Sequence, residues 1–402
     1  MNICLVNQWY LPEDWGGVPV SIYQLAQGLK SQGHEVTVVT STNHQSLINT
    51  TVEEDGIRVI RMTRKSPLIR FKQAHLFYYN LNLAFKLKTI LERYKIHIVE
   101  YADVNGEAFF HRFFHKIPYV VRLQTPLFIA KKFYSEKESK NNLELLYRME
   151  KKAIMRASGL ISPSRSMAEW IGAECKIKPK IISIIRNPLR PIVNEQQSDN
   201  EGLFKFPLNT VLYFGRLEKR KGAFVFASAI PIIFKNFPEA FFVFAGPDRS
   251  SPSGGSTEME IKQYLHDQNI PEQRIRFLGM VERKRLFNCY REASIVVVPS
   301  LYEDYPYSVI EPMSIGAAVV TSDCYGIPEI VTHGENGLLS KTGDSHDLAM
   351  QILELLKAPS QIERIGKEAK VFIATECSAQ KIADETTRFY QKILEKERGI
   401  FD

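Results

Sequence analysis

Residues 299–337 carry the run Pro299-Ser300-Leu301-Tyr302-Glu303-Asp304-Tyr305-Pro306-Tyr307-Ser308-Val309-Ile310-Glu311. Ser314-Ile315-Gly316, Gly326-Ile327-Pro328-Glu329 and Gly334-Glu335-Asn336-Gly337 follow it. The preceding stretch, Ser294–Val298, is short, β-branched and unalternating, the pattern of a strand buried on both faces. Pro306 ends regular structure in the loop, and from Tyr307 onward Val309, Ile310, Met313 and Ile315 follow helical spacing. Glu303 is therefore expected at the mouth of a loop after a strand, and Glu311 within the first turns of the next helix. Backbone N–H groups and the positive helix end lie between them, which makes an anion site with a hydroxyl acceptor on either side. A diphosphate flanked by two sugars fits that arrangement.

Outward from this stretch, strand-like and helix-like segments alternate. Ile3–Val6 is followed by a glycine-containing loop and a helical stretch Val20–Gln32 with Ile22, Leu25, Ala26 and Leu29 on one face. Gly33-His34 closes that helix and Val36–Thr40 is the next strand. Ile57–Met62, Ile98–Tyr101, Tyr119–Leu123 and Gly159–Pro163 read as further strands. The rhythm breaks near 190–207, where Asn194–Gly202 is polar and featureless, a linker by composition. It resumes with Thr210–Phe214, a helix from about Gly222 to Phe234, Ala240–Gly246 and Ile275–Leu278. The βαβ repetition predicts mostly parallel sheets with helices on both faces. A length of 402 residues exceeds one ordinary core, so two similar domains are expected. These are residues 1–192 and residues 205–377, and a long, charged, amphipathic helix follows at about 378–402.

Composition sets the broad class. Hydrophobic residues are 44% and charged residues 24% of the chain, as in an ordinary globular protein. No apolar run reaches the roughly 20 residues of a membrane helix. The opening Met1–Val6 reads as a strand without a basic leader, so no signal peptide is expected. Five scattered cysteines without metal-ligand spacing read as reduced thiols in a cytoplasmic protein. The net charge of +7 suits an anionic substrate or a negative membrane surface. No basic stripe or recognisable module points to nucleic acid.

Gly215-Arg216-Leu217-Glu218-Lys219-Arg220-Lys221-Gly222 follows a strand and opens a helix. Arg216 offers a fork of donors to phosphate oxygens, and Lys221 a compact charge. The plainer reading is a solvated basic turn. It loses ground once the Glu303/Glu311 segment is set beside it, because both loops leave carboxyl ends of strands, where ligands bind. Gly16-Gly17 occupies the corresponding place after the first strand, suited to close backbone approach. No Gly-x-Gly-x-x-Gly or P-loop occurs, which disfavours dinucleotide and ATPase readings. The histidines lack paired metal spacing and no nucleophile elbow is present. His34 reads as a helix-end residue, Glu329 as part of a solvated turn. Arg64–Lys72 with Phe77-Tyr78-Tyr79, and Lys131-Lys132-Phe133-Tyr134, mix bases with aromatics and suggest a peripheral surface for anionic lipid. An ordinary solvated face over core aromatics explains them equally well.

These motifs, from Gly16-Gly17 with Leu25-Ala26 and Gly33-His34-Glu35-Val36, through Gly215-Arg216-Leu217 and Lys221-Gly222, to Glu303, Glu311 and Gly334–Leu339, resemble the retaining nucleotide-sugar glycosyltransferases of glycosyltransferase family 4. The resemblance covers essentially the whole chain. It implies the GT-B fold, an α/β class of two facing Rossmann-like domains with a cleft between them and a C-terminal helix crossing back to the first. It implies a nucleoside-diphosphate sugar donor, UDP favoured over GDP, and a hydroxyl acceptor; the basic-aromatic surface suggests that this acceptor is a glycan or lipid-linked sugar in polysaccharide or glycolipid assembly at the inner membrane face. No cofactor and no metal are implied. Arg216 and Lys221 would neutralise the diphosphate, Glu311 would take the ribose hydroxyls, and Glu303 would contact the donor sugar, making Glu303, Arg216 and Lys221 the catalytic set. Gly16, Gly17, Gln124, Gly215, Leu278, Met280, Tyr307 and Ser308 complete the substrate-binding residues, with the Phe277–Met280 turn beside the base. Retention would proceed by front-face attack within an ion pair.

The chain departs from the family pattern at three places. Asp304 and Pro306 stand where many relatives have glycine, and Val18-Pro19-Val20-Ser21 lacks the glutamate that tends to follow the double glycine. Gln124 replaces a common histidine, so it can hydrogen-bond a sugar but not act as a base. Two rival readings share part of this evidence. A nucleotide-sugar 2-epimerase would have the same fold but needs acid/base carboxylates and histidines that the sequence does not place. Against a non-catalytic nucleotide-sugar or glycan-binding scaffold stands the diphosphate clamp itself, since a pure glycan binder has no need of one.

Overall fold

The computed structural model describes residues 1–14, 16–64, 72–133, 143–190, 204–249 and 254–399. The chain divides into two compact units, Met1–Arg190 with Cys377–Asp402, and Pro191–Glu376. The stretches Lys65–Phe71, Tyr134 and Asn194–Gly202, singled out above, lie outside the described residues.

The first unit is an eight-stranded sheet, ordered β3-β4-β2-β1-β5-β6-β7-β8. Its strands are β1 (Asn2–Val6), β2 (Glu35–Thr42), β3 (Thr51–Glu54), β4 (Ile57–Thr63), β5 (Ile98–Ala102), β6 (Tyr119–Arg122), β7 (Gly159–Ser162) and β8 (Ser183–Ile184). Every pairing is parallel except β3 with β4. The sequence reading missed β3 because Thr-Val-Glu-Glu has one apolar residue and buries none of the four; it forms only because β4 is already in place beside it. The helix Gly17–Ser31 starts three residues before the expected Val20. Pro19 falls within its first turn, where a missing N–H costs nothing.

The last helix, Ala379–Arg398, begins at Ser378, whose hydroxyl accepts the Lys381 N–H. Its Ile382, Ala383, Tyr390 and Ile393 join one core with Ile3, Leu5, Leu25 and Val38. Each such side chain contributes about 1.5–3 kcal/mol on full burial. At the bottom of this contact lies a buried ion pair, Arg122 Nε to Glu100 Oε1 at 2.8 Å. Tyr390 Oη donates to Glu100 Oε2 at 2.7 Å and Arg122 Nη2 donates to Thr386 Oγ1 at 3.0 Å. His34 has a role beyond ending a helix, since its Nε2 bonds Thr387 Oγ1 at 3.0 Å.

The second unit is a six-stranded, wholly parallel sheet, ordered β11-β10-β9-β12-β13-β14. It comprises β9 (Thr210–Phe214), β10 (Phe241–Ala245), β11 (Ile275–Phe277), β12 (Ile295–Val298), β13 (Val319–Ser322) and β14 (Leu338–Ser340). Val211, Tyr213, Phe242, Phe244, Val297 and Val320 are buried beneath the helices Ala223–Asn236 and Ser345–Leu356. The chain runs outward from β9 to β10 and β11 on one side, and through β12 to β13 and β14 on the other. The switch point therefore falls between β9 and β12, where the loops leaving the two strands diverge and open a crevice.

Candidate functional site

Two loops meet at that switch point. Residues 215–222 leave β9 and residues 299–306 leave β12. They are laced together by Leu301 N–H donating to Arg220 O at 2.8 Å and by Arg220 Nη1 donating to Tyr302 O at 3.2 Å. Gly222, with φ at +71°, permits this approach: a Cβ there would sit 1.9 Å from Pro299 O. Gly326 does the same from the β13 side, where a Cβ would meet Asp304 O at 2.0 Å.

This lacing concentrates charge. Lys221 Nζ makes an ion pair with Glu303 Oε1, and Arg220 Nη1 lies 3.3 Å from the same oxygen. Arg216 Nη2 and Arg220 Nη2 lie 2.9 and 3.4 Å from Glu218 Oε1. Three cations thus share two carboxylates. Burial and then Glu303 act in opposite directions on Lys221, and burial prevails, lowering the ammonium below its ordinary value. Burial raises Glu303, but Lys221 and Arg220 outweigh it and hold the carboxyl below its ordinary value. A net positive, partly desolvated cluster at the carboxyl ends of parallel strands is chemically suited to an anion.

The sequence-derived residues fall as follows. Gly215, Arg216, Lys221 and Glu303 are brought together in this cluster, with Lys221 Cβ 3.6 Å from the Cβ position of Gly215. Lys221, expected to neutralise a diphosphate, rests on Glu303, because a buried ammonium needs a countercharge. Arg216, with its side chain 41% exposed, keeps an outward fork. Glu311 lies in the helix Tyr307–Ser314 but, among the described residues, shares no ion partner with Glu303. Arg283 Nη2 is 2.7 Å from Glu311 Oε1. Burial pushes the Glu311 carboxyl above its ordinary value and Arg283 draws it back. Tyr290 is buried beside that pair, and its phenol is pushed well up, first by burial and then by Glu311. Tyr307 is buried, and the Ser308 hydroxyl is buried without a hydrogen-bond partner among the described residues. Leu278 N–H donates to Phe244 O, and Gly246 N–H donates to Gly279 O, which ties the β11 loop to the β10 loop; Met280 is 83% exposed.

Gly16, Gly17 and Gln124 belong to the first unit. Gly16 caps the helix Gly17–Ser31, its carbonyl accepting from Val20. Gln124 N–H donates to Asp103 Oδ2 at 2.9 Å. Its amide donates to Ser21 Oγ at 3.4 Å and Asn187 Oδ1 at 3.3 Å. Around the switch point of this sheet are three buried acids. Glu107 accepts from Gln8 N–H at 2.8 Å, and Glu150 accepts from Asn105 N–H at 2.9 Å. Burial raises Asp103 to about 7 and Glu107 to about 8. Glu150 is raised well above the carboxylate range, by burial first and Asp103 among the lesser causes.

Sequence reasoning missed Arg220, Glu218, Arg283 and Tyr290. Arg283 carried a usable signal. It opens the helix Arg283–Glu292, where the helix dipole disfavours a cation, and the carboxylate that offsets this, Glu311, lies in another helix.

Comparison with known proteins places the chain. The glycosyl transferases group 1 model matches residues 195–372, and the glycosyltransferase family 4 model matches residues 15–191. The chain belongs to this family of glycosyltransferases. It is 25% identical over 406 residues to one component of the human phosphatidylinositol N-acetylglucosaminyltransferase, spanning 98% of this chain and 76% of the relative. Among solved structures it is similar to sucrose-phosphate synthase from Thermosynechococcus elongatus, with a TM-score of 0.78 at 20% identity over 98% and 99% of the two chains. Anabaena HepE in complex with UDP-glucose follows with a TM-score of 0.69 at 18% identity over 98% and 100%. These likenesses establish the GT-B fold.

Proposed function

We propose that the protein is a retaining, metal-independent glycosyltransferase that moves a sugar from a nucleoside-diphosphate sugar, UDP favoured, to a hydroxyl of a glycan or lipid-linked acceptor. The observation that carries this reading is the cluster of Arg216, Arg220 and Lys221 around Glu303 and Glu218. When the bond between the anomeric carbon and the diphosphate breaks, negative charge grows on the departing oxygen. Fixed cations beside it stabilise that charge more than the ground state, which is how such a cluster accelerates transfer. Arg216 and Lys221 would hold the diphosphate, with Lys221 leaving Glu303 in part as the new anion arrives. Arg220 would keep Glu303 in place to accept from donor-sugar hydroxyls. Glu311, steadied by Arg283, would accept from the ribose, and the buried Ser308 hydroxyl has a bond to offer the same ligand.

The named ligand of HepE and the lipid substrate in the name of the human relative support a UDP-sugar donor and a lipid-linked acceptor. Five free buried cysteines suit the reducing cytoplasm. Among the described residues no helix is long and apolar enough to cross a membrane, and we place the reaction at the inner membrane face.

The test is a thermal-shift series with UDP, GDP, ADP and CMP and their sugar conjugates, with and without EDTA. One nucleoside diphosphate should stabilise the protein equally in both conditions. Glu303→Ala should then reduce transfer by orders of magnitude with nucleotide affinity within a few-fold, and Arg216→Ala should weaken nucleotide binding about tenfold, the loss of one charge-assisted hydrogen bond. Wild-type transfer by both variants would show that the site is misplaced. NMR of the product anomer tests retention.

A further inference from the structure

The first unit carries an aromatic surface that donor chemistry does not use. Four phenylalanines among the described residues are more than a third exposed: Phe77, Phe85, Phe113 and Phe114. All four lie in one cluster. Phe77 meets Phe110 at 5.2 Å between ring centroids, Phe110 meets Phe113 and Phe114 at 6.3 and 6.4 Å, and Phe114 meets Phe85 at 4.8 Å. Phe85 and Phe113 are 57% and 59% exposed. Exposed apolar side chains are ordinarily scattered singly; a contiguous patch marks a surface that something covers.

We propose that this cluster, on the helices Lys72–Arg93 and His111–Phe114, docks the protein on an anionic lipid bilayer. The charge around it selects the occupant. Arg156 lies over the Phe113 ring at 5.1 Å, and Lys88 and Lys116 are exposed nearby in the chain. Arg112, also exposed, is balanced by Glu397 at 3.3 Å. Of the four acids between Lys72 and Lys116, Glu100, Asp103 and Glu107 are buried, and Glu92 alone faces solvent. Rings flanked by an excess of cations match acyl chains beneath anionic headgroups. A protein partner would ask for about one hydrogen bond per 100–200 Å², and phenylalanine rings have none to give. A second copy in a twofold dimer would set the cationic rim against itself. Among the described cations that the sequence suggested for this role, Arg64 pairs with Asp14 at 2.6 Å, Lys132 pairs with Glu174 at 2.7 Å and Lys131 lies over Tyr147, and Tyr79 is buried. This surface gives the membrane placement proposed above a physical location, and its test does not depend on catalysis.

The experiment is co-sedimentation of the full chain with phosphatidylcholine vesicles containing about 30% phosphatidylglycerol, and with pure phosphatidylcholine vesicles. The wild type should bind the anionic vesicles, bind neutral ones more weakly, and lose affinity at about 0.5 M salt. The double variant Phe85→Ser/Phe113→Ser, at positions too exposed to threaten folding, should bind about tenfold or more weakly, equivalent to about 1.4 kcal/mol. Met259→Ser, at a position 71% exposed in the second unit, should bind as the wild type does. The proposal is overturned if the double variant binds unchanged or if the wild type binds neither vesicle. It is equally overturned if sedimentation equilibrium finds a dimer that the double variant dissolves, which would assign the patch to a second copy.

Discussion

Replacing Arg283 by methionine removes the countercharge of Glu311 while keeping an apolar stem against Phe287. The wild-type pair is 2.7 Å apart, with the Glu311 side chain 5% exposed. A carboxylate stranded at such a site does not stay charged; it takes up a proton, and the cost of that proton caps the damage. From an unfolded value of 4.5, the cap is about 1.36 × (7.0 − 4.5), or about 3.4 kcal/mol at pH 7, and about 0.7 kcal/mol at pH 5. The sign follows from linkage: the variant's native carboxyl binds a proton that the unfolded one has lost, so the penalty grows as pH rises above 4.5. Arg283→Met should therefore destabilise the second unit by up to about 3 kcal/mol at pH 7 and by less than about 1 kcal/mol at pH 5. Hydrogen exchange across β12 and Tyr307–Ser314, followed by mass spectrometry, reads this unit. Trp9, Trp15 and Trp170 all belong to the first unit, so tryptophan fluorescence during urea unfolding is an internal control. Adding Glu311→Gln should abolish the pH dependence. An equal loss at both pH values, or one persisting in the double variant, would refute the reasoning.

Three further outcomes are expected. Gly222→Ala places a Cβ 1.9 Å from Pro299 O at a positive φ; it should separate the two loops, lower stability by at least about 1–2 kcal/mol, and abolish the thermal shift produced by nucleotide. Tyr390→Phe deletes the donor to Glu100 Oε2; a lost hydrogen bond to a buried charge should reduce the urea stability of the first unit by about 1.5–3 kcal/mol, seen by fluorescence. Glu107, raised by burial to about 8, binds protons in the native state that the unfolded chain has released, so it destabilises the first unit increasingly between pH 4.5 and about 8. Glu107→Gln keeps an acceptor for Gln8 N–H and should flatten the fall in stability over that window; an unchanged slope would mean the carboxyl is not the titrating group.

The alternation of strands and helices was legible because each element carries its own period. Thr210–Phe214 occupies the residues expected of it, and the Glu303 and Glu311 segment lies on the loop and helix that Pro306 and the apolar spacing indicated. Where sequence reasoning fell short, the partner was remote. Arg220 was one base in a basic run until Leu301 and Tyr302 folded against it. Arg283 and Glu311, like Glu100 and Tyr390, are separated by too much chain for any spacing to pair them.

Local pattern therefore determined the class of fold, the place of the two loops at the carboxyl ends of β9 and β12, and the family, since periodicity, turn residues and motif spacing are properties of neighbours along the chain. Tertiary structure alone decided that Lys221 rests on Glu303 and that Glu311 needs Arg283. It alone gathered the exposed phenylalanines into one surface. Burial sets the cost of an unpaired charge or an uncovered ring, and burial is a property of the folded chain.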